Sequence, residues 1–87
     1  MIVRYDTEAD ATSITLQRAD VARTIEVIDS FAWVDVDETG HPVRIEFLDA
    51  PADIDETAVA RIAKRFPTAD TPSIKAALSG RTIRPAV

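Results

Sequence analysis

Through the first fifty residues apolar side chains fall on every second position, and after Pro51 they recur every third or fourth. No other feature of the chain restricts its fold as tightly. A period of two builds strands with one oily face, a period near 3.6 builds helices with one oily stripe, and each surface needs a cover. Val3 and Tyr5 share a side of the first run, Ile14 and Leu16 of the second, and Ile25 and Val27 of the third. Val34 pairs with Val36 in the fourth run, and Val43 with Ile45 and Phe47 in the fifth. The other side carries Arg4, Ser13, Thr15, Thr24, Glu26, Asp35, Arg44 and Glu46, a mixed-sign set suited to water. This pattern predicts a five-stranded, mainly antiparallel sheet with one oily face.

The later residues supply the cover. Asp53 is the expected N-cap of a first helix, with Glu56 three residues on; Ala58, Val59, Ile62, Ala63 and Phe66 form its stripe, and Pro67 stops it. A second helix is signalled by Thr71 as cap, Pro72 at the first helical position, apolar Ile74, Ala77 and Leu78, and Gly80 beyond its end. The expected architecture is α+β: about five strands with one face covered by two C-terminal helices. It forms one domain over 1–87, with a strand-rich part over 1–50, a helical part over 51–80 and an irregular tail, "RTIRPAV", over 81–87.

An 87-residue chain without cysteine cannot be stapled by disulfides, so its modest core must suffice or be helped by self-association. A homodimer or other homo-oligomer is therefore expected. The opening "MIVRYDTEAD" has acids where a secretory signal needs an apolar run, and no stretch approaches the ~20 apolar residues of a membrane span. These features predict a cytoplasmic protein with no membrane contact.

Charge divides the chain as periodicity does. Residues 1–56 hold 14 acids and 4 bases, whereas residues 57–87 hold 1 acid and 6 bases. Such a dipolar chain fits two faces with different partners, or faces of opposite sign meeting between copies.

The stretch "DVDETGHPVRIE", 35–46, matches a calcium-loop template except at Thr39, where an acid is usual. A calcium loop needs helices on both flanks, yet both flanks here alternate with period two, and Pro42 interrupts the loop's second half. A hairpin explains the same residues. Keeping Val34 and Val43 on the buried side favours a four-residue loop, Asp37-Glu38-Thr39-Gly40, opened by Asp37 and closed by Gly40 at positive φ, and a six-residue loop keeps the same parity. No metal or other cofactor is expected.

Two stretches, "YDTEADA" from Tyr5 to Ala11 and "VDVDETGHPVRIEFLDA" from Val34 to Ala50, occur in the order seen in a small bacterial family, the domain of unknown function 2283. The chain resembles that family over about residues 1–50. Thr24, Glu26 and Val27 fit its Thr-x-Glu-Val strand, while Ser13 and Arg44 stand where it usually has a large residue and a glycine. The resemblance implies a fold more than an activity; genes of the family can lie beside those of small basic proteins similar to ribonuclease toxins, which implies an antitoxin-like role.

Catalysis is not expected. The single histidine, His41, follows a turn glycine with no serine or cysteine nucleophile credibly paired to it, and two glycines cannot build a phosphate loop. Partner binding is expected at Asp6, Asp10, Trp33, Asp35, Arg44 and Glu46. Asp6 and Asp10 are also natural turn residues, and Arg44 is placed to stack on Trp33, with Ile28 and Leu48 adding an apolar patch. The leading expectation is a non-enzymatic module whose acidic sheet surface neutralises a basic protein partner. The alternative is a nucleic-acid-binding regulator using Arg61, Lys64, Arg65, Lys75 and Arg81 against phosphates.

Overall fold

The structure, a computed structural model, describes residues 1–79 and 83–85. The alternating runs become β1 (Ile2–Asp6), β2 (Ala11–Thr15), β3 (Arg23–Ile28), β4 (Ala32–Val36) and β5 (Pro42–Phe47), followed by α1 (Glu56–Arg65) and α2 (Thr71–Ser79). The five antiparallel strands and two later helices are those the periodicity predicts. A short sixth strand, β6 (Ile83–Pro85), lies parallel to β1, in the stretch expected to be an irregular tail.

The strand order is β3-β4-β5-β2-β1-β6. β1 and β2 form one hairpin and β3, β4 and β5 a meander, and the two units join where β2 pairs with β5. The link from β2 to β3 must therefore cross the end of the sheet. It is pinned there by Leu16 N to Val43 O at 2.8 Å, Gln17 Nε2 to Pro42 O at 3.0 Å and Ala22 N to Val36 O at 2.8 Å.

Val3, Ile14, Val34, Val36, Ile45 and Phe47 are fully buried on the inner face, and Phe31 tilts against Phe47 with ring centroids 5.9 Å apart. α1 covers them with Ala58, Val59 and Ile62, α2 with Ile74 and Leu78, and the connector adds Phe66 and Ala69. Burying each large aliphatic or aromatic side chain contributes about 1.5–3 kcal/mol. The one buried polar residue among those described, Thr12, donates its hydroxyl to Asp49 O at 2.6 Å, so its burial leaves no unmet hydrogen bond.

Local details differ from expectation for identifiable reasons. Pro51–Asp53 winds a 3-10 turn, so the N-cap of α1 moves from Asp53 to Asp55, whose carboxylate accepts from Thr57 N at 2.8 Å. Asp70 rather than Thr71 caps α2 through Ser73 N at 2.9 Å, which makes Thr71 the first helical residue and Pro72 the second. The β4–β5 loop has three residues, Glu38, Thr39 and Gly40, closed by Gly40 N to Asp37 O at 3.0 Å and Asp37 N to His41 O at 2.9 Å. Val43 is then an extra residue between the pairs Asp35–Arg44 and Val36–Pro42, and this bulge brings Val43 inward beside Val34, as parity requires. A second bulge at Val27 shifts the β3 register, so Ile28 pairs with Ala32 and packs on the core instead of joining the outer face.

Candidate functional site

The helices cover only one face of the sheet, and cross-strand register arranges the residues of the other in rows. One row runs Thr24, Asp35, Arg44, Thr15, and the next runs Glu26, Trp33, Glu46, Ser13, Arg4. Alternation along the strands puts these residues outward, and register sets which of them touch.

In the first row the polar groups satisfy one another. Arg44 donates through Nε at 2.9 Å and Nη2 at 2.7 Å to Asp35 Oδ2, while Thr24 donates its hydroxyl to Asp35 Oδ1 at 2.5 Å. Arg44 is therefore held by Asp35 and is not stacked on Trp33. With Arg44 47% exposed and Asp35 only 13%, the pair is worth about 0–1 kcal/mol and serves mainly to lock three strands together.

The second row is different. Trp33, half-buried, has Glu26 directly opposite on β3 and Glu46 directly opposite on β5, both exposed. Opposed residues on adjacent strands have Cβ atoms about 4.5–5.5 Å apart, so Trp33 stands in register between two glutamates. Glu26 accepts one backbone bond, from Ser30 N at 3.2 Å, and among the described residues neither glutamate has a cationic partner. An aromatic side chain flanked in register by two glutamates that make no ion pair among the described residues attracts a cation by the ring quadrupole and by charge together. Sequence alternation placed Glu26 outward but did not single it out, because its contact with Trp33 depends on the β3–β4 register.

Other expected partner-binding residues serve the turns. Asp6 Oδ1 accepts from Glu8 N at 3.0 Å and Ala9 N at 3.2 Å, closing the β1–β2 loop. Asp10 sits at φ 50° and accepts the Tyr5 hydroxyl at 2.5 Å. That hydrogen bond, reinforced by burial and by neighbouring acids, raises the Tyr5 phenol above its ordinary pKa. Asp37 Oδ1 accepts from Thr39 Oγ1 at 2.6 Å, Thr39 N at 2.9 Å and His41 N at 3.0 Å. The Thr39 hydroxyl and then these amides hold its carboxyl below the usual range. The carboxylates of the calcium-like stretch thus diverge: Asp35 faces Arg44, Asp37 faces its own turn, and Glu46 stands beside Trp33. Among the described residues no three His, Cys, Asp or Glu side chains are placed to hold a metal ion.

The cations expected to act together do not all meet. Arg61, Lys64 and Arg65 are exposed on α1 and surround Val27 of β3, with the Arg65 guanidinium 5.9 Å from the Phe66 ring centroid. Lys75 on α2 is paired with Glu56 at 2.6 Å instead. Arg81 lies outside the described residues. An apolar hollow of about 580 Å³ under the Lys75–Glu56 pair, lined by Pro51, Ile54, Val59 and Leu78, had no sequence signal because it forms between three separate segments. Among the described residues no helix is long and apolar enough to cross a membrane.

A family model described as "Protein of unknown function (DUF2283)" matches residues 2–50, more than half of the chain. No curated protein and no solved structure matches it significantly.

Proposed function

The chain belongs to the DUF2283 family, and from that premise we propose that it is a non-enzymatic interaction module that captures cationic side chains of a basic protein partner on its uncovered sheet face. The observation that supports this reading is the Glu26–Trp33–Glu46 row, a tryptophan in register between two exposed glutamates that form no ion pair among the described residues. A lysine or arginine placed over Trp33 would gain about 0.5–1 kcal/mol from the ring at an exposed site and further attraction from the flanking carboxylates. Asp35 and Arg44 hold the strands beside it, while Asp6 and Asp10 shape the loop at one end. In neutralising a small basic protein such a module would act in an antitoxin-like manner.

Trp33 is the only tryptophan, so its emission reports binding directly. Titration with an Arg-rich peptide is expected to change Trp33 fluorescence saturably, with an affinity that falls as salt rises. Co-expression with the neighbouring genes followed by affinity capture should retain a basic protein, and Glu26→Gln with Glu46→Gln should release it. Unaltered emission at low salt, or capture that survives both substitutions, overturns the reading.

A further inference from the structure

The sheet ends at β3, whose outer edge pairs with no described strand. An edge strand carries a row of unpaired N–H and C=O groups and templates another strand. Arg23, Thr24 and Glu26 of β3 are exposed, whereas Ile25, Val27 and Ile28 are half-buried, which leaves apolar surface along the edge on the helix side. α1 borders that side with Arg61, Lys64 and Arg65, exposed at i, i+3 and i+4 around Val27, and among the described residues no acid forms an ion pair with any of them.

We infer that the β3 edge accepts an extended segment of a partner protein whose alternate side chains are acidic. Backbone pairing to β3 would add a seventh strand, and residues at every second position would turn toward α1, where carboxylates meet the three cations. Charge selects this occupant over a second copy. Antiparallel pairing of two β3 strands about a two-fold axis would place the α1 cations of both copies on the same side of the joined sheet, where they repel. Charge also disfavours the open-face ligand at this edge, because a basic segment would face Arg61, Lys64 and Arg65. Nucleic acid would need a wider cationic surface than three side chains beside a strand edge provide, and Lys75 is already paired with Glu56.

The test uses the full chain and a synthetic peptide of alternating Glu and Val, with a Lys and Val peptide and a duplex oligonucleotide as comparisons. The Glu peptide is expected to bind with salt-sensitive affinity and to increase amide-exchange protection within residues 23–28. Replacing Arg61, Lys64 and Arg65 by Gln should weaken it about tenfold. The substitutions lie on exposed positions, so retained circular dichroism confirms the fold. Peptides N-methylated at one or the other alternating set of residues separate strand pairing from charge alone, because one of the two sets must abolish binding. Failure of the Glu peptide to bind at low salt, equal binding by both N-methylated forms, preferential binding of the duplex, or protection mapping away from β3 overturns the inference. The open-face reading stands or falls separately, since Trp33 lies on β4 and its emission should still change saturably with the Arg-rich peptide when Arg61, Lys64 and Arg65 are replaced by Gln.

Discussion

Gly40 sits at φ +87°, where a side chain strains the backbone, yet the nearest heavy atom to an added Cβ is Arg23 Nη2 at 3.9 Å. The cost of Gly40→Ala is therefore conformational rather than steric, about 1–2 kcal/mol, and Gly40→Asn should recover part of it. Urea denaturation of the three proteins checks the order. Asp6→Ala removes the acceptor of two loop amides and is expected to lower stability by about 1 kcal/mol, which in a domain of this size shifts Tm by roughly 4–8 °C. If Asp6 served a partner instead, Tm would not move. Tyr5 makes the opposite kind of contribution. Its folded pKa is raised because the neutral phenol donates to Asp10, so the stabilisation is complete below the ordinary value of 10.0 and is lost as pH rises through the folded value. Tyr5→Phe should flatten the alkaline fall of Tm. The turn chemistry of Asp6, Asp37 and Gly40 was legible in the sequence because it is local, whereas the Tyr5–Asp10 bond was not, because it needs the hairpin closed first.

The helices depend on acids at their entrances. The Asp55 and Asp70 carboxyls lie below the ordinary value of 3.8, held there first by the backbone amides of Thr57 and Ser73 and then by the hydroxyls of the same residues. A depressed folded pKa contributes stability above the unfolded value that is lost as pH falls through the folded one. Acid titration of helical circular dichroism should therefore show melting below pH 3.8, and Asp55→Asn should retain the cap at neutral pH while flattening that acid dependence. The existence of both helices was readable from spacing, and their starting residues were not. Asp53 and Asp55 are equally good caps in isolation; the 3-10 turn from Pro51 takes up Asp53 and leaves Asp55 at the entrance. The strands show the same limit. Period two identified β1 to β5 but not the three-residue β6, and the bulges at Val27 and Val43 answer to neighbouring strands; the Val27 bulge moved Ile28 from the expected outer patch to the core.

At the scale of the whole molecule the family-matched residues 2–50 form five of the six strands among the described residues, while the cover for their inner face comes from residues outside the match. A 1–50 fragment would expose Val34, Val36, Ile45 and Phe47 to water and is expected to show no cooperative thermal transition by circular dichroism, where the full chain does. Within the full chain Ile62→Ala should cost about 2–5 kcal/mol in chemical denaturation, because Ile62 is fully buried between helix and sheet. The linear sequence by itself determined β1 to β5 and the two helices, the side of each of those strands that is oily, and the separation of acidic and basic halves, since all of these follow from residue type and spacing along one segment. Tertiary structure alone decided that Glu26 and Glu46 flank Trp33, that Asp35 takes Arg44 away from the ring, and that Arg61, Lys64 and Arg65 border the β3 edge. Those contacts join segments far apart in the chain, and their partners are set by strand order and register, which no single segment encodes.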